Sequence, residues 1–201
     1  MDTDADVAAG RAILLQLEPK FSIIPAPLPL RLRPDGFGAL LQAIVGQQVS
    51  TASAAAIWAR LEQARLCEEE AVRAASEEAL RACGLSRPKV RYARALASAR
   101  IDYAALRTAQ TDDVITTLTA VPGIGRWTAE IYAKFALGHR DVFAAGDLAL
   151  QEGAKLLFDL AERPTERDMR AMAEAWQPVR AIAARALWAY YRTQTKREGA
   201  I

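Results

Sequence analysis

Apolar residues in this chain recur three and four positions apart, the spacing that lines one face of an α-helix. Phe37, Leu40, Leu41, Ile44 and Val45 make one such stripe, and Ile57, Trp58 and Leu61 make the next. The same period predicts helices over 6–17, 69–82, 89–99, 112–118, 127–137, 148–160, 166–176 and 179–191. No segment competes with a strand period, and no repeat of fixed length is present, so the fold class is all-α with short loops. Pro25, Pro27, Pro29 and Pro34 interrupt the pattern between residues 21 and 34. Each fixes φ and removes an N–H, so this stretch must extend or turn, and it marks a lobe boundary.

With 201 residues, 52% of them hydrophobic, the chain can bury a core as one domain or two small lobes, which excludes disorder. A net charge of +2 makes only a weak case for nucleic acid, so local features must carry the function. The acidic N-terminus lacks the basic start of a secretory signal, and no run approaches the ~18 apolar residues of a membrane span, so a cytoplasmic protein without membrane contact is expected. Cys67 and Cys83 are too few for an iron–sulfur cluster or a four-cysteine zinc site, and are expected as small core residues in a reducing compartment. His139 is the only histidine, so no metal site or mechanism needing two histidines is available. Its place after Gly138 suits a helix C-cap.

Between two predicted helices lies Val121-Pro122-Gly123-Ile124-Gly125-Arg126-Trp127-Thr128-Ala129. Its glycines permit a tight turn and the close approach of another backbone. Amides of such a turn, entering a helix N-terminus, point outward together and suit a phosphate oxygen, which gives binding to DNA backbone without reading sequence. Taken alone, the motif also fits a plain interhelical turn. Further along, Asp141-Val142-Phe143-Ala144-Ala145-Gly146-Asp147-Leu148 ends in an acid where a helix begins, and on its own Asp147 reads as an N-cap.

In this order these motifs resemble the helix-hairpin-helix base-excision glycosylases, within them the 3-methyladenine DNA glycosylase II (AlkA-like) branch. The resemblance runs from about Phe37 to Tyr191. It includes Leu41-Gln42-Ala43-Ile44-Val45-Gly46-Gln47-Gln48-Val49-Ser50, the hairpin, the loop to Asp147, Trp176-Gln177-Pro178-Val179-Arg180, and Trp188. It implies two helical lobes, residues 35–138 and residues 1–34 with 139–201, and a DNA-binding cleft between them. The β-domain of larger members is not expected.

The resemblance also assigns roles. Asp147 matches the catalytic aspartate. Gly123, Ile124, Gly125, Arg126 and Thr128 form the backbone-binding hairpin, and Trp127, Trp188 and Tyr132 are candidates for the base pocket. A wedge that fills the gap left by a flipped base falls to Leu85, Ser86 or Arg87. Arg87, Lys89, Arg91 and Arg94 form the best local basic cluster, while Gln47, Gln48, Ser50 and Lys89 are candidates to face DNA. For Gln47 and Gln48 a buried polar network is the open alternative. Trp127 stands where bifunctional relatives carry a Schiff-base lysine, which implies hydrolysis without strand cleavage, and Lys134 reads as a solvated helix residue. The expected partner is double-stranded DNA containing damaged bases, bound by a monomer. No cofactor is expected, although relatives can hold a monovalent cation on hairpin carbonyls. Competing readings are a non-catalytic DNA-binding module, a helical interaction scaffold, and a glycosylase for mismatched or oxidised bases.

Overall fold

The computed structural model describes residues 1–195; residues 196–201, assigned above to the second lobe, lie outside the described residues. In chain order the helices are α1 Asp4–Leu17, α2 Phe37–Gly46, α3 Thr51–Gln63, α4 Glu69–Ala74, α5 Glu77–Ala82, α6 Arg87–Ser98, α7 Tyr103–Thr108, α8 Thr111–Thr119, α9 Arg126–Phe135, α10 Leu148–Phe158, α11 Glu166–Glu174 and α12 Arg180–Thr195. A short 3-10 turn, Pro19–Ile23, follows α1. No strand occurs among the described residues, and no helix there is long and apolar enough to cross a membrane.

Side-chain caps set many of the helix starts. Thr3 and Asp6 form a reciprocal capping box at α1, as Thr165 and Asp168 do at α11, and the Ser50 side chain accepts the Ser53 amide at α3. Caps also explain where the sequence reading departs from the structure. The expected helix over 69–82 is two helices, because Ala75 is extended and Ser76 opens α5 by accepting the Ala79 amide. Helix α7 was not expected; Asp102 starts it by accepting the Ala105 amide.

The chain divides into two compact units, one made of Met1–Leu32 with the chain from Ala133 onward, the other of Arg33–Tyr132. The second division falls between Tyr132 and Ala133, inside α9, where the sequence reading put it after residue 138. In the Arg33–Tyr132 unit α6 is the hub, packed by α2, α4 and α5 around Leu41, Ile44, Val72, Leu80 and Leu96. Tyr132 belongs to this unit, and its hydroxyl accepts the Gly36 amide at 2.9 Å.

In the other unit α12 is the hub. Its residues from Ala181 to Trp188 are all buried, so this stretch of the helix is enclosed on every side, and α1, α10 and α11 pack against the helix. Arg185 is buried with them and donates to the carbonyls of Pro29, Leu30 and Ala181, which fastens the proline-rich segment to α12. Burial of Arg185 lowers its guanidinium pKa to about 10. Trp176 anchors a second cluster, stacked on Phe158 and edge-on to Phe21 and Phe143.

Candidate active site

Asp147 is the N-cap of α10, and its Oδ1 accepts the amides of Ala149 at 2.9 Å and Leu150 at 3.1 Å. The same oxygen accepts the indole N–H of Trp188 at 3.2 Å, from a helix 41 residues further along the chain. Three donors therefore fix the carboxylate, which is 4% exposed. The loop before it is fixed as well. Asp141 takes a bidentate pair from Arg180 at 2.6 and 2.9 Å, and Gln151 donates to the Ala145 carbonyl at 3.0 Å. A rigid, buried carboxylate held by neutral donors can stabilise positive charge that develops beside it.

Trp188 is 6% exposed. Phe135 stacks on it at 5.5 Å, and the Lys134 amine sits 3.6 Å from its centroid and 4.9 Å from that of Phe135. These separations place the amine and Phe135 on the same side of the indole. Lys134 itself is a correction: it is 1% exposed, not solvated, and its Nζ has no hydrogen-bond partner among the described residues. Its neighbours Tyr132, Ala133 and Phe135 are also buried, so α9 has no solvent face at this point. Burial drives the amine well below the ordinary lysine pKa; Arg185 and Arg31 add to the effect and Asp147 opposes it.

The Arg33–Tyr132 unit carries the hairpin. Gly123 has φ +92°, and a Cβ there would meet the Tyr92 ring of α6 at 2.3 Å, so both backbone and space require glycine. Gly125 faces open space, and the first-turn amides of α9 that follow have no carbonyl partner within their own helix. Gln47 donates to the Gly123 carbonyl at 2.8 Å, and Lys89 to the Val45 carbonyl at 2.7 Å. These bonds and the Tyr92 contact bring the hairpin, the α2–α3 turn and the start of α6 together.

The expectations for Lys89 and Leu85 are corrected, and packing fixes where the other expected residues lie. Lys89 is buried and caps the end of α2, and desolvation lowers its amine. Leu85 is core, 3% exposed, which leaves Ser86 and Arg87 at the exposed start of α6. The Ile124 and Thr128 side chains are buried, and the Ile124 amide closes the turn onto Val121. Tyr132 is buried with its hydroxyl engaged, and Gln47 takes the network role instead of facing out. Gln48, Ser50, Arg126 and Trp127 are exposed, Trp127 by 38%. A cation at the hairpin would have to share the Val121 and Gly123 carbonyls with Ile124 and Gln47. At the end of α9, Gly138 takes the left-handed conformation and the His139 amide reaches back to Ala133. Cys83 is buried as expected, but Cys67 is only half-buried.

The two glycines give separable expectations. Gly123→Ala should lower stability by at least ~1–2 kcal/mol, since an alanine at positive φ alone costs that much. Gly125→Ala should keep stability within ~0.5 kcal/mol and weaken duplex binding of damaged and undamaged DNA alike. Urea unfolding and fluorescence anisotropy measure both; a loss confined to damaged DNA contradicts a hairpin that holds only backbone.

Residues 41–178 match the model of the HhH-GPD superfamily base excision DNA repair proteins. DNA-3-methyladenine glycosylase 1 of Schizosaccharomyces pombe is 31% identical over 158 residues, 74% of this chain and 69% of that protein. DNA-3-methyladenine glycosylase 2 of Escherichia coli is 30% identical over 77% of this chain and 57% of its own length. Among solved structures, a DNA-3-methyladenine glycosidase from Bacillus halodurans superimposes with TM-score 0.83 at 33% identity, over 94% of this chain and 92% of that one. The Schizosaccharomyces pombe 3-methyladenine DNA glycosylase in complex with abasic DNA superimposes with TM-score 0.74 at 27% identity, over 92% and 96% of the two chains.

Proposed function

As the chain belongs to the HhH-GPD superfamily of base excision DNA repair proteins, we propose that it is a monofunctional DNA glycosylase that hydrolyses the N-glycosidic bond of alkylated, cationic purines such as 3-methyladenine and 7-methylguanine. The observation that carries this reading is Asp147, buried at the start of α10 with Oδ1 held by two amides and an indole. Relatives at about 30% identity that are named for 3-methyladenine support the substrate class.

Loss of a base leaves positive charge on the sugar, and a fixed carboxylate stabilises that oxocarbenium-like state. Asp147 fills this role and orients the attacking water. A purine that already carries a positive charge leaves as a neutral base, so no strong general acid is required. Trp127 occupies the place of the Schiff-base lysine, so water is the nucleophile, the product is an abasic site in an intact strand, and no cofactor is needed.

Base flipping costs a few kcal/mol, least at weakened pairs. The hairpin with Gly125 and Arg126 holds the DNA backbone, while Ser86 and Arg87 are the wedge candidates that remain exposed. Trp127 offers the exposed aromatic face, which attracts a cationic ring ~0.5–2 kcal/mol more than a neutral one.

Purified protein incubated with methylated duplex DNA should release 3-methyladenine and 7-methylguanine, seen by mass spectrometry. With abasic DNA it should give neither a nick nor a borohydride-trapped adduct. A trapped adduct would overturn the monofunctional assignment, and absence of released bases would overturn the activity.

A further inference from the structure

The buried amine of α9 has no part in the mechanism above, and a lysine enclosed in this way needs a reason. We propose that Lys134 is a positioning residue for Asp147, acting through the Trp188 ring whose face it covers and whose indole N–H Asp147 accepts. This rests on the reading of Asp147 as the residue that stabilises the sugar cation.

The geometry is a short relay within one unit. Lys134 Nζ lies 3.6 Å from the Trp188 centroid, and Trp188 Nε1 lies 3.2 Å from Asp147 Oδ1. Phe135 closes the same side of the indole, and the Arg185 guanidinium lies 5.2 Å from the Phe135 centroid. The side chain is enclosed, without a hydrogen-bond partner for its amine among the described residues. The charged groups that act on it are Asp147 at the start of α10, Arg185 on α12 and Arg31 in the proline-rich segment. Both arginines are cations that disfavour a third positive charge, and the hydrocarbon surroundings disfavour it further.

An uncharged amine fills the space beside the indole and adds no positive charge next to the carboxylate that the indole holds, which favours the sugar cation. When the pH falls and the amine gains a proton, a positive charge appears on the indole whose N–H the carboxylate accepts, close enough for Asp147 to feel it. Excision then slows. An apolar side chain of the same length keeps the packing and cannot gain the charge, so Lys134→Met separates the two contributions.

The sign for stability is fixed by the same burial. The unfolded chain holds a protonated lysine up to its ordinary pKa of about 10.4, while the folded chain releases that proton at lower pH. Between the folded and unfolded values the unfolded state binds more protons, so stability rises with pH through this window. It is lost as pH falls toward the folded value.

The test uses the full chain, wild type and Lys134→Met, with Lys134→Gln as a second uncharged variant. Urea unfolding across pH 6–10 should show wild-type stability rising with pH more steeply than that of either variant. Single-turnover release of 7-methylguanine from methylated duplex should fall at least ~10-fold across an acid limb in wild type. In Lys134→Met that limb should disappear or move down by a pH unit or more.

An unchanged acid limb in variants that fold and excise overturns the positioning role, even if their kcat or KM changes, and leaves the glycosylase reading standing. A stability slope shared by all three proteins overturns it too. If wild type releases no base, the failure belongs to the glycosylase reading. A borohydride adduct that disappears in Lys134→Met would replace the positioning role with a nucleophilic one, and so also overturns it.

Discussion

Asp147→Asn should lower base excision by at least ~100-fold while leaving the fold and duplex binding near wild type. The size follows from removing one electrostatic group that acts on the transition state. The clean separation follows from the cap. Asparagine is as good an N-cap as aspartate, and its carbonyl can take over the amides of Ala149 and Leu150 and the indole N–H of Trp188. Stability should therefore stay within ~1 kcal/mol of wild type. Asp147→Ala is the poorer test, because it removes the cap and strands a buried indole donor, which costs about 1–3 kcal/mol by itself. Single-turnover rates together with urea unfolding decide the matter: an asparagine variant that excises at a wild-type rate would remove Asp147 from the chemistry.

Trp188→Ala should give the largest loss of stability, about 3–5 kcal/mol, the range for removing a buried tryptophan. The ring is enclosed, stacked on Phe135 and covered by the Lys134 amine, and its N–H is engaged by Asp147. Truncation leaves a cavity, an orphaned lysine stem and one donor fewer on the carboxylate. Trp188→Phe keeps most of the packing and loses only the donor, a bond to a charged group of about 1.5–3 kcal/mol. A loss below ~1 kcal/mol in Trp188→Ala would mean that the ring is not held as described.

These two residues also show how far the chain could be read without coordinates. The helices declared themselves through apolar stripes and capping residues, and Asp147 through a loop that ends in an acid at a helix start. Pairing across the chain was not legible. The bond between Trp188 and Asp147 joins residues 41 positions apart, and no local pattern encodes it. Lys134 and Lys89 misled for a related reason: a lysine on a helix is almost always solvated, and only tertiary enclosure turns one inward. For Lys89 the signal was present, since α2 ends at Gly46 with carbonyls in need of a donor, but its partner was 44 residues away. The break at Ser76 was visible in principle, because Ser-Glu-Glu is an N-terminal signature that the apolar period ran over.

The proposed preference for cationic bases combines two effects of one charge, a weaker glycosidic bond and a stronger hold on an aromatic face. The most direct measurement is the ratio of single-turnover rates for 7-methylguanine and hypoxanthine in otherwise identical duplexes, with the released base identified by mass spectrometry. A ratio well above one, with both rates collapsing in Asp147→Asn, is the result expected of a glycosylase for alkylated purines. A preference for hypoxanthine, or release that survives in Asp147→Asn, would contradict it.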